Sequence, residues 1–139
     1  MSWPTPQDMV GAALGPRGIS RMSISEVLRW QWQGYPRYHR SRSNLLLHII
    51  VVPVFLLGNF ALVAALFQGS WLVAALAIVA MVASIALQGV GHRREPVPPE
   101  PFTSPRDAIV RLLCEQWVTF PRFVAAGGWL QAWRQASVT

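Results

Sequence analysis

Three histidines, His39, His48 and His92, are the residues of this chain with the most chemistry to offer. Imidazole is the commonest protein ligand for transition metals. Three of them with a carboxylate nearby, here Glu95 just after His92, suit Fe(II) or Zn. The same residues also admit a plainer reading. Each histidine is then a hydrogen-bonded side chain near a helix end, Glu95 pairs with a neighbouring arginine, Asn44 is a helix cap, and Trp32 and Tyr35 are interfacial aromatics. There is no Gly-rich phosphate loop and no Ser-His-Asp arrangement. Cys114, the one cysteine, lacks the neighbours of a CxxC motif and reads as a small packing residue.

Whether the imidazoles can meet depends on the elements that carry them. The stretch from Asn44 to Val90 contains no Asp, Glu, Lys or Arg and divides into two apolar runs, 45–67 and 71–90, around Gln68-Gly69-Ser70. Each run is about the length a helix needs to cross a hydrocarbon core of ~30 Å. The pattern predicts an all-α, integral membrane protein built on a hairpin of two transmembrane helices. Folding the chain at Gly69 brings His92 level with about Leu46, so His48 and His92 should meet. His39 lies about two and a half turns before His48, on the wrong side of an uninterrupted helix. A helix that starts at Asn44, its natural N-cap, leaves the preceding loop free to fold His39 back. Pro53 predicts a kink or wider turn in the first span, near His48.

The bulk numbers agree with a membrane protein. Of 139 residues 53% are hydrophobic and 13% charged, about half the charge of a soluble domain, and the mean hydropathy is +0.33. The net charge of +6 comes from twelve arginines, all outside the hairpin. That distribution places both termini on the cytoplasmic side and argues against nucleic acid as a partner. Residues 1–22, rich in Pro, Gly and Ser, read as a poorly ordered arm without the features of a signal peptide. The rest, 23–139, reads as one membrane helical domain. Ser23 and Glu26 form a capping box for an amphipathic helix over about 24–34, ended by Gly34-Tyr35-Pro36. Ser104-Pro105 starts a second over about 105–120. Its apolar stripe is Ile109, Leu112, Leu113, Trp117 and Phe120, with Asp107, Arg111 and Glu115 on the opposite face and Pro121 as its end.

The pattern Trp32-x2-Tyr35-x3-His39-x4-Asn44-x3-His48-x4-Pro53, followed by Gln88-x2-Gly91-His92 and Glu95, resembles the small membrane dioxygenases that act on 2-hydroxy fatty acids. Their founding fungal members help convert phytosphingosine to odd-numbered fatty acids in the endoplasmic reticulum, and bacteria carry relatives. The acid follows His92 by three positions, one fewer than usual in that family. The resemblance implies α-oxidation: Fe(II) on His39, His48 and His92 would bring O2 and the 2-hydroxy carboxylate together, and cleavage of C1–C2 would shorten the acyl chain by one carbon. Glu95 would be a fourth ligand or orient an imidazole. Asn44 and Tyr35 would support the ligands, and Arg40, Arg42, Arg93 and Arg94 would hold the substrate carboxylate. It also implies a bacterial inner membrane or endoplasmic reticulum location. A homodimer is compatible with so small a hairpin. The alternative is a non-enzymatic membrane protein that packs with a partner through its Ala-rich second span.

Overall fold

The computed structural model describes residues 21–136, which form helices and no strand. The expected N-terminal arm lies outside the described residues, apart from its last two, of which Met22 packs against Val27 and Cys114. The first helix, α1, is Ile24–Gly34. Its capping box forms as expected: Ser23 N donates to Glu26 Oε2 (2.7 Å), and Glu26 N donates to Ser23 Oγ (3.4 Å). A 3-10 turn, Tyr35–Tyr38, follows, with Pro36 at its start.

The hairpin consists of α2, Arg42–Gln68, and α3, Trp71–His92. Gly69 between them is left-handed (φ 66°), and Ser70 N reaches back to the Ala65 carbonyl (2.9 Å), the bonding that closes a helix C-terminus. Two expectations need correction. Asn44 is not the N-cap: α2 begins earlier, behind Ser41, because the Glu95 carboxylate takes the N–H groups of Arg40 (2.8 Å) and Ser41 (3.1 Å). Nor is there a wider turn at Pro53, since α2 runs through it as α-helix. The two helices pack antiparallel and close. At Gly58 an added Cβ would stand 2.7 Å from Met81 Cγ and 3.4 Å from the Ala77 carbonyl. At Gly91 it would overlap Asn44 Oδ1.

Both helices are long and apolar enough to cross a membrane, and only 28% and 22% of their most apolar stretches are buried inside the protein. The distribution is inverted relative to a soluble bundle. Leu57, Phe60, Phe67, Leu72 and Val79 face outward, whereas Asn44, His48, Ser84 and Gln88 face inward.

The C-terminal helix α4, Pro105–Cys114, has Ser104 as its cap and proline at its first position. Instead of ending at Pro121, it continues through a π-helical turn, Glu115–Thr119, into α5, Phe120–Ala125. Pro121 has no N–H for the Trp117 carbonyl, and the Phe120 N–H reaches Glu115, five residues back. The two faces of α4 are the polar and apolar stripes of the sequence. Its polar stripe faces in, with Asp107 and Arg111 buried, while Ile109, Leu113 and Trp117 are exposed. The reason is local. Arg111 donates to Asp107 Oδ2 (3.3 Å) and to the carbonyls of Glu100 (2.8 Å) and Pro101 (3.1 Å), and it lies against the rings of Trp30 and Phe102. A guanidinium so paired tolerates burial. The last helix, α6, Gly128–Gln135, is tied to the hairpin by Trp129 Nε1, which donates to the Leu45 carbonyl (3.0 Å).

Helix contact at Gly58 makes a direct prediction. Gly58→Leu should lower stability by about 1–3 kcal/mol through overpacking, read as a lower unfolding midpoint in detergent. An unchanged midpoint would mean that the helices do not meet there.

Candidate metal centre

Four separate elements each deliver one donor to the end of the hairpin opposite its Gly69 turn. His39 follows the 3-10 turn, His48 lies two turns into α2, His92 is the last residue of α3, and Glu115 opens the π turn. The imidazole centroids are 4.8 Å (His39–His48), 5.1 Å (His39–His92) and 4.9 Å (His48–His92) apart, with the rings nearly perpendicular. One ligand atom from each of the four residues lies within 4.8 Å of every other. Glu115 Oε1 is 3.8 Å from His39 Nε2 and 3.7 Å from His48 Nε2. Donors bound at ~2.1 Å to a tetrahedral ion stand ~3.4 Å apart, so the donors would have to draw inward to close on an ion, Glu115 Oε1 and the two Nε2 atoms by a few tenths of an ångström.

Hydrogen bonding sets which nitrogen faces the centre. His39 Nδ1 donates to the Tyr35 carbonyl and His48 Nδ1 to the Asn44 carbonyl, each at 3.0 Å. A carbonyl only accepts, so both protons sit on Nδ1 and both Nε2 lone pairs point inward. His39 Nε2, His48 Nε2 and His92 Nδ1 are buried without any hydrogen-bond partner. Buried polar atoms are nearly always satisfied, and three unpartnered imidazole nitrogens, on residues whose ligand atoms lie within 4.8 Å of one another, are what a metal ion would satisfy. The residues present therefore fit the implied ion.

Tyr35 supports two ligands at once. Its ring stacks on His39 at 3.9 Å, and its hydroxyl donates to Glu115 Oε1 at 2.9 Å. Burial, reinforced by the Glu115 charge and hydrogen bond, raises the phenol well above its ordinary range and keeps it a donor. Burial and the neighbouring His48 hold the His39 imidazole well below its ordinary value, with Glu115 opposing. It is thus neutral near pH 7, the form that ligates. Burial alone would raise the Glu115 carboxyl. Contact with His48 and the charges that His48, His39 and His92 can carry outweigh it and hold the group at about 2.

The expected residues divide accordingly. His39, His48 and His92 come together; Glu95 does not join them. Its carboxylate is engaged by Arg40 N, Ser41 N and Asn44 Nδ2 (2.7 Å), and Glu115 occupies the acidic position instead. Asn44 orients His48 through its carbonyl and anchors Glu95 through its amide. Arg40 and Arg93 border a cleft of about 1140 Å³ that reaches His39, His92 and Glu115; Arg42 and Arg94 do not. Arg42 instead lies over Trp133. Gln88 and Gln116 exchange two buried hydrogen bonds (3.0 and 2.7 Å), fixing the π turn against α3.

No family model, curated protein or solved structure matches the chain. The geometry defines the class unaided: an all-α helical hairpin with a three-histidine, one-glutamate group that could hold a metal ion.

Glu115→Gln should weaken Fe(II) or Zn binding by more than the ~10–100-fold typical of losing a supporting partner. Glu95→Gln should leave metal affinity within a few-fold of wild type and cost ~1–3 kcal/mol of stability. Metal titration beside thermal unfolding separates the two. In the metal-free protein His39 stays neutral when folded but takes up a proton below ~6.5 when unfolded. Its contribution is complete above that pH and declines as the pH falls below it, so the midpoint at pH 5.5 should lie below that at pH 7.5.

Proposed function

We propose that this protein is a membrane-embedded, non-haem Fe(II) dioxygenase-like enzyme that shortens 2-hydroxy fatty acids by one carbon. The observation that carries this reading is the trio of buried, unpartnered imidazole nitrogens beside Glu115. The family resemblance supplies the choice of iron and of substrate. The arginine distribution supports cytoplasmic termini, with the site just beneath the headgroups on that side.

The overall reaction is RCH(OH)CO2H + O2 → RCO2H + CO2 + H2O. The C1–C2 bond breaks, the hydroxy acid gives up four electrons, O2 accepts all four, and no outside reductant is needed. Bound to His39, His48, His92 and Glu115, Fe(II) would supply the one-electron reactivity that ground-state O2 requires. The chain's own groups do the rest. Arg40 and Arg93, at the cleft beside two of the histidines, pair with the substrate carboxylate. Tyr35 holds Glu115 and His39 in place, and the apolar cleft walls keep bulk water from the reacting carbons.

Protein purified anaerobically and reduced should carry about one iron per chain and convert 2-hydroxypalmitate to pentadecanoate with matching O2 uptake. His48→Ala should lose both iron and product. Reduced protein that never binds iron, or that holds iron yet forms no shortened acid, overturns the reading.

A further inference from the structure

One face of α1 runs along the segment that carries Glu115. Val27, Gln31 and Tyr35 follow one another at four-residue spacing, which sets them on the same side of the helix and its continuation. Val27 packs against Cys114, the residue before Glu115. Tyr35 donates to the Glu115 carboxylate itself (2.9 Å). Gln31, between them, reaches both ends of the π turn. Its Nε2 donates to the Arg111 carbonyl (2.8 Å), which also accepts from the Glu115 N–H. Its Oε1 accepts from the hydroxyl of Thr119 (2.8 Å), the last residue of the turn.

Residues 115–119 lack the regular four-residue bonding of an α-helix, and Pro121 just beyond offers no N–H. A segment short of its own ladder takes its shape from the side chains bonded to it. Gln88 holds Gln116 from the α3 side, and Gln31 holds Arg111 and Thr119 from the α1 side. The residue type matters. An amide carries a donor and an acceptor at one tip, and Gln31 uses one of each on points either side of Glu115. A carboxylate there could meet only the hydroxyl, an ammonium only the carbonyl. What depends on this is small in distance: Glu115 Oε1 lies 3.8 Å from His39 Nε2 and 3.7 Å from His48 Nε2. A supporting shell about 1 Å too loose is enough to spoil such a constellation.

We infer that Gln31 is a positioning residue for the metal centre: by clamping the π turn at Arg111 and Thr119, it holds the Glu115 carboxylate where it can share an ion with His39, His48 and His92. The inference rests on the metal centre within the proposed function and not on the reaction performed there. The probe is Co(II), whose visible absorption reports the number and arrangement of its ligands. In the full-length, detergent-purified protein, Gln31→Leu keeps the bulk and loses both hydrogen bonds. It should weaken Co(II) binding about tenfold or more and change the visible bands. Thr119→Val should do so in part, whereas Thr119→Ser, which keeps the hydroxyl, should stay close to wild type. The deciding measurement repeats Gln31→Leu in a Glu115→Gln background. A residue that acts through Glu115 has nothing left to lose there, so affinity should change by less than about twofold. Equal loss in both backgrounds, or no loss in either, overturns the clamp and leaves the metal centre standing. Wild-type protein that takes up no Co(II) overturns both. Loss confined to the Glu115 background, in a protein that oxidises no 2-hydroxy acid, upholds the clamp and removes the enzyme.

Discussion

The Glu95 carboxylate closes the hairpin at the end where the histidines lie. It comes from the turn just after α3, yet it accepts hydrogen bonds from Arg40 N, Ser41 N and the Asn44 amide at the start of α2. An anion there satisfies N–H groups that no helical carbonyl can reach, and it complements the positive end of the helix dipole. The tie fixes where α2 begins. That, in turn, fixes the depth of His48 relative to His92 and brings the loop carrying His39 back over both. Across this tie, three histidines spread over 54 positions of chain lie in one group with Glu115. The residue expected to be a ligand instead ties together the two helices whose histidines could hold an ion.

Much of the architecture was legible because it follows from one-dimensional signals. An uncharged stretch broken at Gln68-Gly69-Ser70 marks the hairpin, Ser23 with Glu26 marks the start of α1, and Ser104-Pro105 that of α4. The meeting of His48 and His92 followed from antiparallel register, whereas that of His39 rested on the loop before α2 folding back. Glu115 was hidden because its spacing to Asp107 and Arg111 is that of an exposed ion-pair stripe. The stripe faces inward because Arg111 finds two backbone carbonyls in the proline-rich link and two aromatic faces, partners from distant segments that no spacing rule reveals.

The same inversion explains the outer surface. In water, a helix that buries Asp107 and Arg111 while exposing Ile109, Leu113 and Trp117 would be turned inside out. Trp117 packs edge-on against Phe60 of α2, continuing the apolar surface of the hairpin onto α4 and the π turn. Polar groups therefore gather along the inner seam, where Gln88 and Gln116 satisfy one another.

The widened turn at Glu115–Thr119 has a mechanical consequence. It lodges an additional residue between the carboxylate and the phenyl rings of Phe120 and Phe123, which are anchored in the core with Leu45 and Val52. The acid and that aromatic anchor are thereby out of helical phase, joined by a segment without the regular four-residue ladder. Different contacts therefore set the two: Tyr35 and the Gln88–Gln116 pair hold Glu115, and the hairpin core holds the rings.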